Sequence, residues 1–339
     1  MHKKFFAVLL SLLCIHTVCF SQSPIGGNTV APRIRVIMDN DFGGDPDGLF
    51  ALAHLLLSPS TDVRAIIGSH LRAGDGFDRS TEQSENAAKK AGELRALIQS
   101  ANNVPIIAGS PVAMANDSTP VKNPAVNFII NEASRTDTQM PLFVVCGAGL
   151  TEIASALLTD PSIANKLTLI WIGGLEYPDL ALPPPHYSKI EYNTNIDIAA
   201  VRAVFNRSTV PIWQVPRNAY RQAIFPYSQL VLQVKPKGKL GNYLCTQIEN
   251  IMKAAHNWKL DLGEVYILGD SPLVLLTALQ SSFEADPSSS EYVIKMAPTI
   301  NNEGGYDFNS KGRNIRVYTR LDIKLMFDDF LAKLELMNK

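Results

Sequence analysis

Asp39, Asp41, Asp45 and Asp47 fall within nine positions of the segment VIMDNDFGGDPDGLFALAHLLL (36–57), crowded around Gly43, Gly44 and Pro46 and followed at once by an apolar run. Carboxylates this close repel one another, and burying even one without a partner is costly. Two kinds of chemistry would offset that cost. A hard cation such as Ca²⁺ takes about six to eight oxygen ligands and is satisfied by carboxylates, backbone carbonyls and water. Alternatively, two acids can divide the acid and base work of glycosidic cleavage. Asp and Gly also suit tight turns and helix caps, which accounts for any one aspartate more readily than for four together. Phosphate binding is disfavoured, because a phosphate loop needs backbone amides and a lysine where this loop has acids. Nor does the spacing match an EF-hand, which places a glutamate at its twelfth position.

The elements that must position these acids are legible as apolar runs alternating with helical patterns. IRVIMDND (34–41) reads as a buried strand ending in the acidic loop, GLFALAHLLLS (48–58) as a helix, VRAIIGSH (63–70) as a strand and TEQSENAAKKAGELRALIQS (81–100) as a polar helix. VPIIAGS, PLFVVCGAG, LTLIWIGG and VPIWQVP read as further strands, and LTEIASALLTDPSIANKL and NIDIAAVRAVFN as helices. This alternation predicts an α/β fold, an open and mostly parallel sheet with helices on both faces and a Rossmann-like core. Ligands of such sheets sit outside the C-terminal strand ends. Asp39 and Asp41 end the first strand and Ser69 and His70 the second, while Gly147 to Gly149 follow FVVC and Gly173 and Gly174 follow LIWI. Asp270, in LGDSP, ends the run EVYIL. One crevice is therefore expected to carry Asp41, Asp45, Asp47 and Asp270. No internal repeat or clear linker is visible, and a single domain is expected over 33–336.

The wider composition narrows the partners. At 339 residues, 46% hydrophobic and 19% charged, the chain has the composition of a soluble globular protein, long enough to bury a large core. A formal net charge of −1 gives no electrostatic reason to expect nucleic acid or an anionic membrane. The N-terminal stretch MHKKFFAVLLSLLCIHTVCFSQSP has a basic start, an apolar run and small or polar residues near Ser21. That is the layout of a secretory signal over 1–21, and its apolar run is short of the about 20 residues a membrane span needs. Neither Cys14 nor Cys19 follows a small residue, which argues against a lipoprotein. A secreted or periplasmic protein is expected, with no membrane contact after signal removal. Its remaining cysteines, Cys146 and Cys245, make no disulfide framework. Assembly into a homo-oligomer is compatible with the sequence but not specified by it.

Taken in order, the motifs resemble those of the inosine-uridine nucleoside hydrolases and their nucleoside-hydrolase-like relatives, over roughly residues 33 to 335. VPIIAGSP is similar to the family's VPVYAGxxxP, and LTEIASALLTDPSIANKLTLIWIGG to its LTNIALALxxDPxLAxxIxxIVxMGG. EYNTNIDIAAVRAVF resembles EFNxxxDPEAAxxVF, LGDSPLVLLTAL resembles the HDPLA segment except at its first residue, and NIRVYTRLDIKLMFDDFLAKL is like the closing strand and helix. The resemblance implies a Ca²⁺ at the sheet's C-terminal edge, chelated by the 2′- and 3′-hydroxyls of a ribonucleoside. A metal-bound water, deprotonated by an aspartate, would attack the anomeric carbon. Carried over residue by residue, Asp41 falls on the water-activating ligand and Asp270 on the late aspartate that ligates the metal and touches a ribose hydroxyl. Gly147, or else Cys146, supplies the ligating backbone carbonyl. Glu191 and Asn193 fall on residues that grip the ribose, Ser69 stands where the family has a strand-end asparagine, and Asp39 supports the loop.

This sequence also departs from the family pattern. The family's DxDPGxDD ends in an acid that binds ribose and an acid that chelates the metal. Without a gap, Asp45 takes the ribose role and Pro46 the chelator's place; with a two-residue insertion, Asp47 takes the ribose role and Gly48 replaces the chelator. The insertion is favoured by the match of LFAL to the helix start, and Asp45 or Asp47 would have to serve as replacement ligand. Gly269 stands where many members carry a histidine that protonates the leaving base. His70, His186 and Tyr187 are alternative donors for which ordinary loop or surface roles are expected more often. Trp213 and Tyr220 are candidates to stack on a base, although an aromatic after a strand is more often core. The expectation is a hydrolase of ribonucleosides serving purine or pyrimidine salvage. A same-fold hydrolase of another ribosyl or glycosyl compound and a non-catalytic ribose-binding protein are the alternatives.

Overall fold

Ile34–Asn40 (β1) is buried along its whole length, as an apolar strand must be at the centre of a sheet covered on both faces. In the computed structural model, which describes residues 29–101, 103–185, 189–257, 259–281 and 290–338, β1 pairs in parallel with Thr61–Gly68 (β2). Ile106–Ala108 (β3) joins the outer edge of β2, and Leu142–Cys146 (β4) pairs with the other side of β1. Leu167–Ile172 (β5) and Ile212–Val215 (β6) continue the parallel run. Ile224–Pro226 (β7) and Val265–Ile267 (β8) make a separate antiparallel ribbon. Glu291–Met296 (β9) lies on the far edge, and Thr299–Ile300 (β10) pairs with Tyr306–Asp307 (β11). Asn314–Arg320 (β12) returns between β6 and β9, parallel to the first and antiparallel to the second. The eight-stranded order is β3-β2-β1-β4-β5-β6-β12-β9. Strand order reverses between β1 and β4, and a ligand crevice is expected outside that switch point.

Side chains alternate across a strand with period two, and β1 shows the consequence. Ile34, Val36 and Met38 enter one core with helices Asp47–Leu56 (α1) and Gln83–Arg95 (α2). Ile37 enters the other, with Pro124–Ala133 (α3) and Thr151–Thr159 (α4). The open, mostly parallel α/β sheet expected from the sequence is thus present, with apolar cores on both faces.

Four local expectations need correction. LTEIASALLTDPSIANKL is not one helix: Asp160, at φ −133°, separates Thr151–Thr159 from a 3₁₀ turn at Pro161–Asn165. The run EVYIL supplies β8, whose partner is β7 in the antiparallel ribbon rather than a strand of the main sheet. NIDIAAVRAVFN is not one helix: Asp197 leaves the helical region at φ −150°, accepts a bond from Ala200 N at 2.9 Å, and separates Tyr192–Ile196 from Ile198–Arg202. An aspartate that caps the following turn interrupts a helix that apolar spacing alone would continue. The polar helix expected over 81–100 spans only Gln83–Arg95. The leader expected over 1–21 lies outside the described residues, and no described helix is long and apolar enough to cross a membrane.

Candidate active site

The end of β1 sends its side chains to opposite faces. Asp39 lies on the α4 side, fully buried, where it accepts a hydrogen bond from the Ser69 hydroxyl. Burial first, and then the nearby carboxylate of Glu152, push its proton affinity well above the usual carboxylate range. Ser69, expected at the ribose, is thus engaged beneath the loop. Asn40 lies on the α1 side, and its Nδ2 donates to Oδ2 of Asp270 at 2.8 Å. This bond brings the segment after β8 to the end of β1.

Beyond the strand, the acidic loop turns through a bond from Gly44 N to Asp41 O of 2.7 Å. Asp41 is buried, which pushes its carboxyl well above the ordinary range, and Asp270 and Asp45 push it further. Asp45 accepts the Tyr266 hydroxyl at 2.8 Å and the Asp47 backbone N–H at 3.3 Å. Burial raises its pKa to about 6 against those bonds. Asp47 opens α1 beside Asp270, whose pKa burial raises to about 7. Of the two loop alignments, the structure sets Asp47 against Asp270 and turns Asp45 toward Tyr266.

The opposite wall is built by the EYN segment. Glu191 caps the helix Tyr192–Ile196: its Oε2 accepts Thr194 N and Gly174 N, both at 2.9 Å, and its Oε1 accepts the Tyr220 hydroxyl at 3.0 Å. Asn193 Nδ2 donates to the carbonyls of Ile172 at 2.8 Å and Gly147 at 3.2 Å. The Gly147 carbonyl expected to face a metal therefore already lies beside the crevice. Tyr192 donates its hydroxyl to Asp75 at 3.1 Å. Although the ring is partly exposed, desolvation of its hydroxyl, with the charge of Asp41 next, raises the phenol's pKa and keeps it a donor.

Other sequence candidates settle away from this cluster. His70 is buried, with Nδ1 against the Leu71 carbonyl at 2.9 Å and Nε2 against the Thr151 hydroxyl at 3.0 Å, an internal role rather than that of a leaving-group acid. Trp213 packs in the sheet, edge-on to Phe143 with the Arg316 guanidinium over its ring at 4.2 Å. His186 and Tyr187 lie outside the described residues. Cys146 is buried, and its Sγ–H meets the Gly149 carbonyl. Sequence reasoning passed over Asn40, Asp75, Tyr192 and Tyr266. The alternation of β1 would have placed Asn40 on the α1 face, whereas Tyr266 carries no local signal.

Asp41 and Asp270 are buried, Asp45 and Asp47 are half-buried beside them, and among the described residues no lysine or arginine forms a salt bridge with any of the four. Two buried acceptors at the same strand end, Asp39 Oδ2 and Asn40 Oδ1, have no hydrogen-bond partner. Hard oxygen donors, unmatched negative charge and orphaned acceptors suit a hard divalent cation in chemistry. Among the described residues, no three Asp, Glu, His or Cys side chains converge as a ready-made cage.

A family model described as inosine-uridine preferring nucleoside hydrolase matches residues 36–328. Several solved structures share the fold. The purine-preferring ribonucleoside hydrolase from Gardnerella vaginalis aligns with a TM-score of 0.67 at 19% identity, over 90% of this chain and 99% of its own. The inosine-uridine preferring nucleoside hydrolase from Bacillus anthracis aligns at 0.64 and 17% identity, over 89% and 99%. A plant nucleoside hydrolase gives the same TM-score of 0.64, also at 17% identity and over 89% and 99%. No curated protein sequence matches. At these identities the structures speak for the fold alone. The family model spans most of the chain, from β1 into the C-terminal helix, and the chain belongs to the inosine-uridine preferring nucleoside hydrolase family.

Proposed function

We propose that this protein hydrolyses the N-glycosidic bond of ribonucleosides at the C-terminal ends of β1 and β4, with Ca²⁺ as its cation. The observation that carries the reading is the cluster of buried Asp41 and Asp270 with half-buried Asp45 and Asp47, to which no lysine or arginine is salt-bridged among the described residues. Asp41, Asp47, Asp270 and the Gly147 carbonyl are the ligands assigned to the ion. Bound there, it supplies Lewis acidity to a water and a grip on a vicinal diol.

Asp41 then acts as general base. Its burial among like charges makes its carboxylate a stronger proton acceptor than a free aspartate. As its proton passes to Asp41, the water oxygen bonds to the anomeric carbon. The bond from that carbon to the base nitrogen breaks, and its electron pair leaves with the base. Positive charge develops on the sugar in such a displacement, and surrounding carboxylates favour it. Asp45, Asp47 and Asp270 face ribose hydroxyls as acceptors. Glu191 and Asn193 line the sugar from the other wall, although the Asn193 amide hydrogens are already spent on Ile172 and Gly147.

A second reading, a same-fold hydrolase of another ribosyl compound, is favoured by Gly269, which gives the leaving base no acid. Release of reducing sugar from inosine, uridine and p-nitrophenyl β-D-ribofuranoside, with Ca²⁺ or with chelator, tests both. Ca²⁺-dependent release from a nucleoside supports the first reading. Release from the nitrophenyl riboside alone supports the second, and no release from any of them overturns both in favour of a ribose-binding protein. Export to the periplasm or medium is proposed from the leader alone.

A further inference from the structure

The family's loop ends in a chelating acid that this chain lacks, and in the insertion alignment Gly48 stands in its place. Asn40 fills the space that this substitution leaves. Its side chain is completely buried. A Cβ at position 48 would lie 2.8 Å from Asn40 Oδ1 and 2.9 Å from its Nδ2, so any side chain there would displace the amide. Across the site, a Cβ at position 147 would overlap the same amide and sit 2.6 Å from Asp270 Oδ1. Two glycines, one from each side, thus make room for one asparagine.

The two ends of the amide are used differently. Nδ2 donates to Asp270 Oδ2 at 2.8 Å, while Oδ1, aimed at the origin of the missing side chain, has no partner. Leaving a buried acceptor unpaired is costly, and native proteins rarely tolerate it without a water or an ion. An amide carbonyl is an ordinary oxygen ligand for Ca²⁺.

We propose that the side-chain carbonyl of Asn40 is a ligand of the divalent cation at this site, replacing the acid absent at position 48. The proposal rests on the cation reading above. It places a neutral donor where relatives have a charged one, so the site holds its ion with one negative charge fewer. The same amide orients Asp270 through its N–H, coupling the two ligands.

Calorimetric titration of Ca²⁺ into the chelator-stripped mature chain, with Eu³⁺ luminescence lifetimes to count bound water, tests this on wild type, Asn40→Asp and Asn40→Ala. If Asn40 ligates, Asn40→Asp binds Ca²⁺ about tenfold more tightly, because a charged oxygen replaces a neutral one. Asn40→Ala then binds about tenfold more weakly, and its Eu³⁺ complex gains one water. If Asn40 only orients Asp270, Asn40→Asp loses the donor and sets carboxylate against carboxylate. Weaker binding in that variant, with an unchanged water count in Asn40→Ala, overturns the proposal and leaves the cation reading standing. Should Asn40→Ala fail to fold, the near-isosteric Asn40→Asp decides alone. A folded wild type that binds no cation overturns both.

Discussion

The Tyr266 hydroxyl donates to Oδ1 of Asp45 at 2.8 Å, so the β7–β8 ribbon holds the acidic loop across 221 residues of chain. Burial, and then the Asp45 charge, raise the phenol's pKa, so it stays protonated as a donor. The bond opposes the desolvation that lifts Asp45 to about 6. Tyr266→Phe leaves a half-buried carboxyl short of a partner. A loss of about 1–2 kcal/mol is expected, read as a lower urea midpoint at unchanged m-value, together with a further rise of the Asp45 pKa. An unchanged midpoint would show that the bond contributes nothing to the fold.

Asp41→Asn separates chemistry from stability. If Asp41 is the general base proposed above, its loss lowers kcat by about 10²–10⁴, with a much smaller change in KM. The same change removes one of several buried carboxyls that repel one another. In chelator the melting temperature should therefore rise, by about 2–4 °C if the relief is near 1 kcal/mol. A variant that loses activity and also melts lower would point to a structural role for Asp41 instead.

Much of this site was legible before any coordinates. Asp41 could be placed at the sheet's C-terminal edge because it follows the apolar run of β1, with Asp47 a few residues on in the same loop, while Asp270 was added from an apolar run that belongs to the β7–β8 ribbon. The errors have a common physical origin. EVYIL has strand composition, and composition cannot tell a sheet strand from a ribbon strand, since pairing is decided by tertiary partners. Asp197 interrupts a helix whose apolar spacing is uninterrupted. Glu191 reads as a ligand-gripping acid, yet two backbone amides, a threonine and a tyrosine already converge on its carboxylate. The bonds from Thr194 are a local cap, but those from Gly174 and Tyr220 join positions 17 and 29 residues away, where no local pattern records them.

The raised carboxyls also set a pH dependence. Asp45 and Asp270 titrate near 6 and 7 in the folded protein against an ordinary 3.8, chiefly through desolvation. Each holds its proton more tightly folded than unfolded. The associated stability is present below the unfolded pKa and is lost as pH rises through 6 and 7. In chelator, the melting temperature should fall by about 5 °C or more between pH 5 and pH 8. On the proposed assignment Ca²⁺ would compete with those protons, so its stabilisation should be greater at pH 8 than at pH 5. Thermal melts in EDTA and in Ca²⁺ at both values test this, and a larger Ca²⁺ shift at pH 5 would contradict it.

Restoring the family's histidine at position 269 should not restore a leaving-group acid. A Cβ there would lie 3.2 Å from Asp47 Oδ2 and 3.2 Å from the Tyr220 ring. Tyr220 is itself tied to Glu191 at 3.0 Å. An imidazole would therefore have to move the ring off that bond or pair with Asp47, drawing it away from Asp270. Gly269→His alone is expected to cost about 1–3 kcal/mol through overpacking and to leave inosine turnover no faster than wild type. Combining it with Tyr220→Ala opens the space, and only the double variant should gain on inosine relative to p-nitrophenyl riboside, whose leaving group needs no proton. Comparing the two substrates across the single and double variants measures this directly. Faster inosine turnover in Gly269→His alone would show that Tyr220 does not exclude the acid.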